Sequence, residues 1–379
     1  MSDEDKPRGE RAVKATAKLP AAKNIRSPEF KPHGISGANR SRGPRPSGKT
    51  AAQAKKQRRI GIAVAVVAVL AIAGGTTWYV TRPGPVITAT GALGQAPKVR
   101  IPKDLVPSGK LDVDTAIKGK GHKLATGDTA IAKYTFFQWS KGTDEKADES
   151  SNKKLESSWE QPAGQQTMMM TLGKTPLKGL DKGLVGQTAG SRVIIEIPPK
   201  DGFGKQGEQL GLTANDSVVF VADLLEAYPK NAEAKGTPKE QDDKDLPAIG
   251  PVEAGKGPKV TIPKADPPEK MKVETLIEGG GRETTKDDTA IVKYKGLVWR
   301  NGKEFDSSWD DGVPAPFPLA STQGMTGFFK GLQGKKIGSR VLLVLPPKDG
   351  YGKAGQPEAG IKGDDHVVFV ADILGVMPK

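Results

Sequence analysis

The sequence predicts an α+β protein built from two copies of one domain. Each copy is a twisted antiparallel sheet wrapped around a short helix, and one N-terminal transmembrane helix precedes them. Three observations predict this. Most of the chain beyond residue 95 is written twice. Within each copy the apolar residues largely alternate, as in half-buried strands, except along one short stretch with helical spacing. Finally, an uncharged run of 21 residues, Ile60 to Val80, separates a basic tail from the repeats.

The tail comes first. Residues 1–59 carry sixteen Lys/Arg against five Asp/Glu, a net +11, so only +3 of the chain's +14 belongs to residues 60–379. Stretches such as RSRGPRPSGKT hold too little apolar surface to offset the entropy of ordering, and the tail is expected to be disordered and cytoplasmic. Gly43-Pro-Arg-Pro-Ser-Gly48-Lys49-Thr50 matches a phosphate-loop pattern, but no apolar strand precedes it and no apolar helix follows, so it is read as coincidence. With the charge in a tail, no nucleic-acid partner is expected. The absence of cysteine excludes disulfides and thiolate chemistry, and the three scattered histidines (His33, His122, His366) offer no metal site. No metal or cofactor is expected.

Residues 60–80 read IGIAVAVVAVLAIAGGTTWYV. At ~1.5 Å rise per residue such a run crosses the ~30 Å hydrocarbon core of a bilayer. Lys55, Lys56, Arg58 and Arg59 precede it; Trp78 and Tyr79 mark its far end. The positive-inside rule then places the N-terminus in the cytoplasm and both repeats outside, on an uncleaved signal anchor of a single-pass cell-membrane protein.

Residues 81–96 read as a tether and 97–228 as the first domain. A charged, Pro-rich flexible linker at 229–257 and a second domain at 258–379 complete the organisation. DTAIAKY (128–134) returns as DTAIVKY (288–294), GSRVIIEIPPKDGFGKQG (190–207) as GSRVLLVLPPKDGYGKAG (338–355), and DSVVFVADLL (216–225) as DHVVFVADIL (365–374). The offset falls from 160 to 148 along the copies, which assigns about twelve extra residues to a hairpin loop in the polar run 140–154 of the first. SRVLLVLPP, TAIVKYKGLVW and HVVFVADIL read as strands. TGFFKGLQGKK and LKGLDKGLVGQ, with Leu177, Leu180 and Leu184 at helical spacing, read as the helix.

In order, VKYKG (292–296), KEFDSSW (303–309), GFFKGLQGKKIGSR (327–340), LPPKDGYGKAG (345–355) and VVFVADIL (367–374) resemble the landmarks of the FKBP-type peptidyl-prolyl isomerases. The resemblance implies a hydrophobic pocket between sheet and helix, and catalysed rotation about X–Pro bonds of polypeptide substrates. It implies pocket walls at Tyr294, Phe305, Phe317 and Phe369, and a floor at Phe328. Met325 and Ile361 would lie at the rim, and Asp306 and Tyr351 would orient the substrate. In the first copy Tyr134 and Phe220 persist, while Leu155, Glu156, Leu180 and Phe203 replace Phe305, Asp306, Phe328 and Tyr351; Leu177 and Leu212 complete the first pocket. The first pocket is therefore expected to be degenerate and the second to carry most of the activity, assisting folding of exported proteins. The alternative is a non-catalytic, membrane-tethered chaperone or interaction protein that grips Pro-containing segments.

Overall fold

The computed structural model describes residues 84–142, 148–253 and 255–378. The basic tail and the apolar run 60–80 lie outside these, and no helix among the described residues is long and apolar enough to cross a membrane. The described residues form one compact unit.

The first repeat contains β1 (Thr88–Thr90), β2 (Lys98–Arg100), β3 (Asp112–Ile117), β4 (Thr129–Lys141), β5 (Ser150–Ser157), β6 (Met168–Thr171), α1 (Lys178–Leu184), β7 (Arg192–Ile197) and β8 (Ser217–Tyr228). Between the repeats stand β9 (Gly236–Pro238) and β10 (Ala248–Glu253). The second repeat follows as β11 (Gly257–Thr261), β12 (Lys272–Gly279), β13 (Thr289–Val298), β14 (Glu304–Ser307), β15 (Ala315–Pro318), α2 (Thr326–Leu332), β16 (Arg340–Leu345) and β17 (Val367–Val376). Both sheets are antiparallel with one topology, β3-β7-β8-β4-β5 and β12-β16-β17-β13-β14; β6 and β15 pair with the other end of β4 and β13. The extra residues of the first repeat mostly lengthen the β4–β5 hairpin as paired strand, with Ser140 opposite Ser151 and Lys141 opposite Ser150.

The helix packs closely on one sheet face because glycines recur on it at i and i+4. A Cβ at Gly331 would stand 2.3 Å from Leu343, and one at Gly183 would stand 2.7 Å from Ile195. This side forms the main core of each repeat, around Leu180, Leu184 and Phe220 in the first and Phe328, Leu332 and Phe369 in the second.

The opposite sheet face is covered too, by segments that composition reads as a tether and a flexible linker. In the first repeat Ile87, Ala89 and Ile101, on and beside the β1–β2 hairpin, pack against Trp139, Ile194, Val219 and Val221. In the second, Leu246 with Ile249 and Val260 of the β10–β11 hairpin packs against Trp299, Leu342, Val344, Val368 and Val370. Strands buried on both faces have no polar side to show, which is why RVLLVL is apolar at every position after its Arg.

The first strap, and the segment that leads into the second repeat, are each tied to a buried ion pair. Arg192 grips Asp223 at 2.6 and 2.7 Å and donates to the carbonyls of Gly91, Ala92 and Gln95, while the Gly94 amide donates to Asp223. Arg340 grips Asp372 at the same distances, and the Ala234 amide donates to Asp372 at 2.7 Å. Residues 229–257 are thus docked rather than a free spacer: β9 adds to the edge of the second sheet beside β12, and Lys235 donates to the Gly338 carbonyl. Ile131 and Ile291, equivalent positions of the two repeats, meet in one apolar cluster with Tyr228.

Candidate active site

Every aromatic residue that the sequence assigns to the second pocket is brought to one place. β13 supplies Tyr294, β14 Phe305 with Asp306, β15 Phe317, α2 Phe328 and β17 Phe369, while Tyr351 follows the 3-10 turn after β16. Phe328 is fully buried at the centre. Its ring meets Phe317 and Phe369 edge-on with centroids 5.0 Å apart, and Tyr294 at 6.3 Å. Phe305 meets Phe369 at 5.6 Å and Tyr351 at 5.8 Å, both near perpendicular. Edge-to-face packing fixes such rings more firmly than area burial alone.

One carboxylate stands at the edge of this apolar assembly. Asp306 is exposed and accepts a 2.5 Å hydrogen bond from the Tyr294 hydroxyl. Burial first, and then this bond, hold the Tyr294 phenol well above the usual tyrosine range. Burial, with the Asp306 charge second, pushes the Tyr351 phenol up to about 12. Both hydroxyls therefore stay protonated as donors at neutral pH. Tyr294, expected as a wall, is also the partner that orients the acid.

Of the two rim assignments, one differs from expectation. Ile361 is 1 % exposed, in the core, and its amide donates to the Gln356 carbonyl at 3.1 Å while its carbonyl accepts from Gln356 at 2.8 Å. That bridge closes the loop after Tyr351 and turns Ile361 inward. Met325 is half-buried at the N-terminal boundary of α2, as a rim residue should be.

The pentapeptide FDSSW (305–309), written LESSW (155–159) in the first repeat, is structural at its second serine. The Ser308 hydroxyl accepts from the Tyr294 amide at 2.8 Å, and Ser158 does the same for Tyr134. The tryptophans that follow brace the straps: Trp159 donates to the Gly94 carbonyl at 3.2 Å, and the Trp309 ring lies where a Cβ on Gly257 would be 2.5 Å away.

The first repeat has not simply lost a wall. Phe305 occupies a β-bulge, and a Cβ on Gly296 across from it would stand 2.6 Å from its ring. In the first repeat the same bulge holds Leu155, and Phe136 replaces the glycine. Phe136 stacks on Phe220 at 5.9 Å and meets Phe203 at 5.6 Å, while Tyr134 stacks at 5.4 Å from Phe220 and 6.2 Å from Phe136. The aromatic group has moved from one strand to its neighbour. Glu156 accepts a short hydrogen bond from Tyr134, so the Tyr–acid pair is retained. Leu180 replaces the floor and Met170 stands at the register of Phe317, leaving a cavity of about 630 Å³. Leu177 and Phe203 line it with them, whereas Leu212 borders a separate small cavity beside Phe203, and Leu155 packs on the core. Phe136 and the Met168–Met170 run escaped the sequence reading. The signals were present: AKYTF against VKYKG, and three consecutive methionines.

Two regions, 121–225 and 280–374, match the model of the FKBP-type peptidyl-prolyl cis-trans isomerase family. An FK506-binding protein of Streptomyces anulatus is 34% identical over 119 residues, 31% of this chain and 96% of that protein. The FKBP-type peptidyl-prolyl cis-trans isomerase FkpA of Escherichia coli K12 is 41% identical over 107 residues, 28% of this chain and 38% of its own length. The crystal structure of FkpA from Escherichia coli superposes on 28% of this chain and 48% of its own with a TM-score of 0.26 and 37% identity.

Proposed function

The chain belongs to the FKBP-type peptidyl-prolyl cis-trans isomerase family, and from that premise we propose that its second repeat is the principal catalytic domain. The observation that carries this is the set of aromatic rings at Tyr294, Phe305, Phe317, Phe328, Tyr351 and Phe369, gathered with the Asp306 carboxylate at their edge. Rotation about an X–Pro bond meets a barrier of ~18–20 kcal/mol because amide resonance is lost. No proton transfer or nucleophile is required. The twisted transition state carries less charge separation than the planar amide, so an apolar, water-poor surface binds it better than the ground state. The Phe328 floor and the walls supply that surface. The Tyr351 hydroxyl, held protonated, is a donor for a substrate carbonyl. The Tyr294–Asp306 pair fixes the wall and leaves the second carboxylate oxygen as an acceptor for a substrate N–H.

We further infer a role in folding exported polypeptides, with the repeats held outside the cell by the 60–80 segment. The charge asymmetry about that segment supports this placement. The test of the catalytic assignment is X–Pro isomerisation by the full-length chain. Phe328→Leu with Tyr351→Phe, which gives the second pocket the first pocket's residues, should remove most of the turnover. Tyr134→Phe in the first pocket should leave most of it. The opposite pattern would assign the activity to the first repeat.

A further inference from the structure

The cavity of the first repeat is not closed by the first repeat alone. Asp311 and Val313 of the second repeat lie in its wall, beside Met168, Met170 and Leu177. They belong to the turn joining β14 to β15, held by the Val313 amide donating to Asp311 Oδ1 at 2.9 Å and by Gly312 at φ +74. Lys174 of the first repeat reaches Asp311 Oδ2 at 3.4 Å, bridging the two repeats at the mouth.

Two properties follow. At about 630 Å³ the space exceeds what one proline ring needs, and the methionines in its wall can adapt to different shapes. Its ionisable lining is also unbalanced, with two carboxylates, Glu156 and Asp311, against the one amine of Lys174. A cationic side chain at the mouth would find Asp311 half exposed and accessible.

We propose that the first cavity is a site shared between the repeats, in which Val313 and Asp311 select a polypeptide segment carrying a bulky apolar side chain next to a lysine or arginine. This rests on the reading of both repeats as peptide-binding domains. Val313 forms part of the apolar wall. Asp311 exchanges Lys174 for the client's cation, and so converts an intramolecular ion pair into a recognition contact.

Methionine methyl groups report each site separately. Met168 and Met170 line the first cavity, and Met325 packs against the aromatic core of the second repeat. The full-length chain labelled with [13C]methyl-methionine would be titrated with the amidated peptides Ala-Leu-Pro-Phe-Lys and Ala-Leu-Pro-Phe-Glu. The Met168 and Met170 signals should saturate at about two- to fivefold lower concentration with the lysine peptide, the preference an exposed ion pair supports. Asp311→Lys should reverse this preference. Val313→Trp should abolish the titration at Met168 and Met170 while Met325 still responds. Titration at Met168 and Met170 that neither variant changes would overturn the shared site. So would a response confined to Met325, which would leave the catalytic assignment standing. No response at Met325, with no turnover, would instead defeat the reading of the second repeat.

Discussion

The exchange of Phe305 and Gly296 for Leu155 and Phe136 makes a quantitative demand on the second repeat. A Cβ on Gly296 would lie 2.6 and 2.8 Å from the Phe305 ring and 2.8 Å from the Phe369 ring. No flexible chain end is available to yield, because both rings are wedged edge-on against each other. Gly296→Ala should therefore cost ~1–3 kcal/mol, the usual range for overpacking a core. In a Phe305→Leu background the closest clash is gone, and the same substitution should cost at least ~0.5 kcal/mol less. The assay is urea unfolding of the full-length chain, followed by the Met325 methyl signal so that the midpoint belongs to the second repeat. The mirror experiment is Leu155→Phe, which should destabilise the first repeat alone and be tolerated when combined with Phe136→Gly. Equal costs of Gly296→Ala in both backgrounds would refute the argument that the ring of Phe305 is what excludes a side chain there.

Phe328→Leu should lower kcat/KM for an X–Pro peptide by about tenfold or more, equivalent to ~1.4 kcal/mol of transition-state stabilisation, and by more than Asp306→Asn does; the reverse order in a peptide isomerisation assay would contradict a desolvation mechanism. With Tyr351 pushed up to about 12 against ~10 in the unfolded chain, the folded state keeps a proton that the unfolded state loses, so stability should be level to about pH 9 and fall from about 10 towards 12. Tyr351→Phe should flatten that decline in a pH series of urea midpoints. Asp372→Asn would leave Arg340 buried beside an uncharged partner and should cost the second repeat ~3–5 kcal/mol, read by the same midpoint. Protease added to intact cells or protoplasts should digest both repeats and spare the N-terminal tail; protected repeats would count against the proposed topology.

The duplicated core and most of its pocket were legible because their signals are local. Strand periodicity, the helical spacing of Leu177, Leu180 and Leu184, and ordered aromatic landmarks all sit within single segments. The straps were not legible. Their anchoring is done by backbone groups reaching a distant Arg–Asp pair, and their few buried side chains, such as Ile87 and Leu246, are isolated among Pro, Gly and charge. Arg192 and Asp223 are visible in both GSR and VAD motifs, yet nothing local says that they face each other. The shift of an aromatic ring from the bulge to Phe136 is a pairwise event across two strands, and comparing Phe305 with Leu155 alone shows only its loss. Ile361 was misplaced at the rim because the Gln356 bridge that turns it inward depends on the folding of its own loop.

The docking of the inter-repeat segment has a consequence for how the two sites act together. After β8 ends at Tyr228, the Lys230 amide is held by Asp128 of the first repeat and its carbonyl by Lys293 of the second, and Ala234 is already fixed on Asp372. The segment between the repeats is held at these three points. Tandem modules on a loose tether accept many spacings, because the second contact benefits from a smeared effective concentration set by tether length. Here that concentration is a property of the client. A polypeptide gains avidity only where its own two binding segments match one fixed separation, and it does so without ordering a linker on the protein's side. For a client that engages both repeats, such a pair would favour chains whose binding segments lie at that interval.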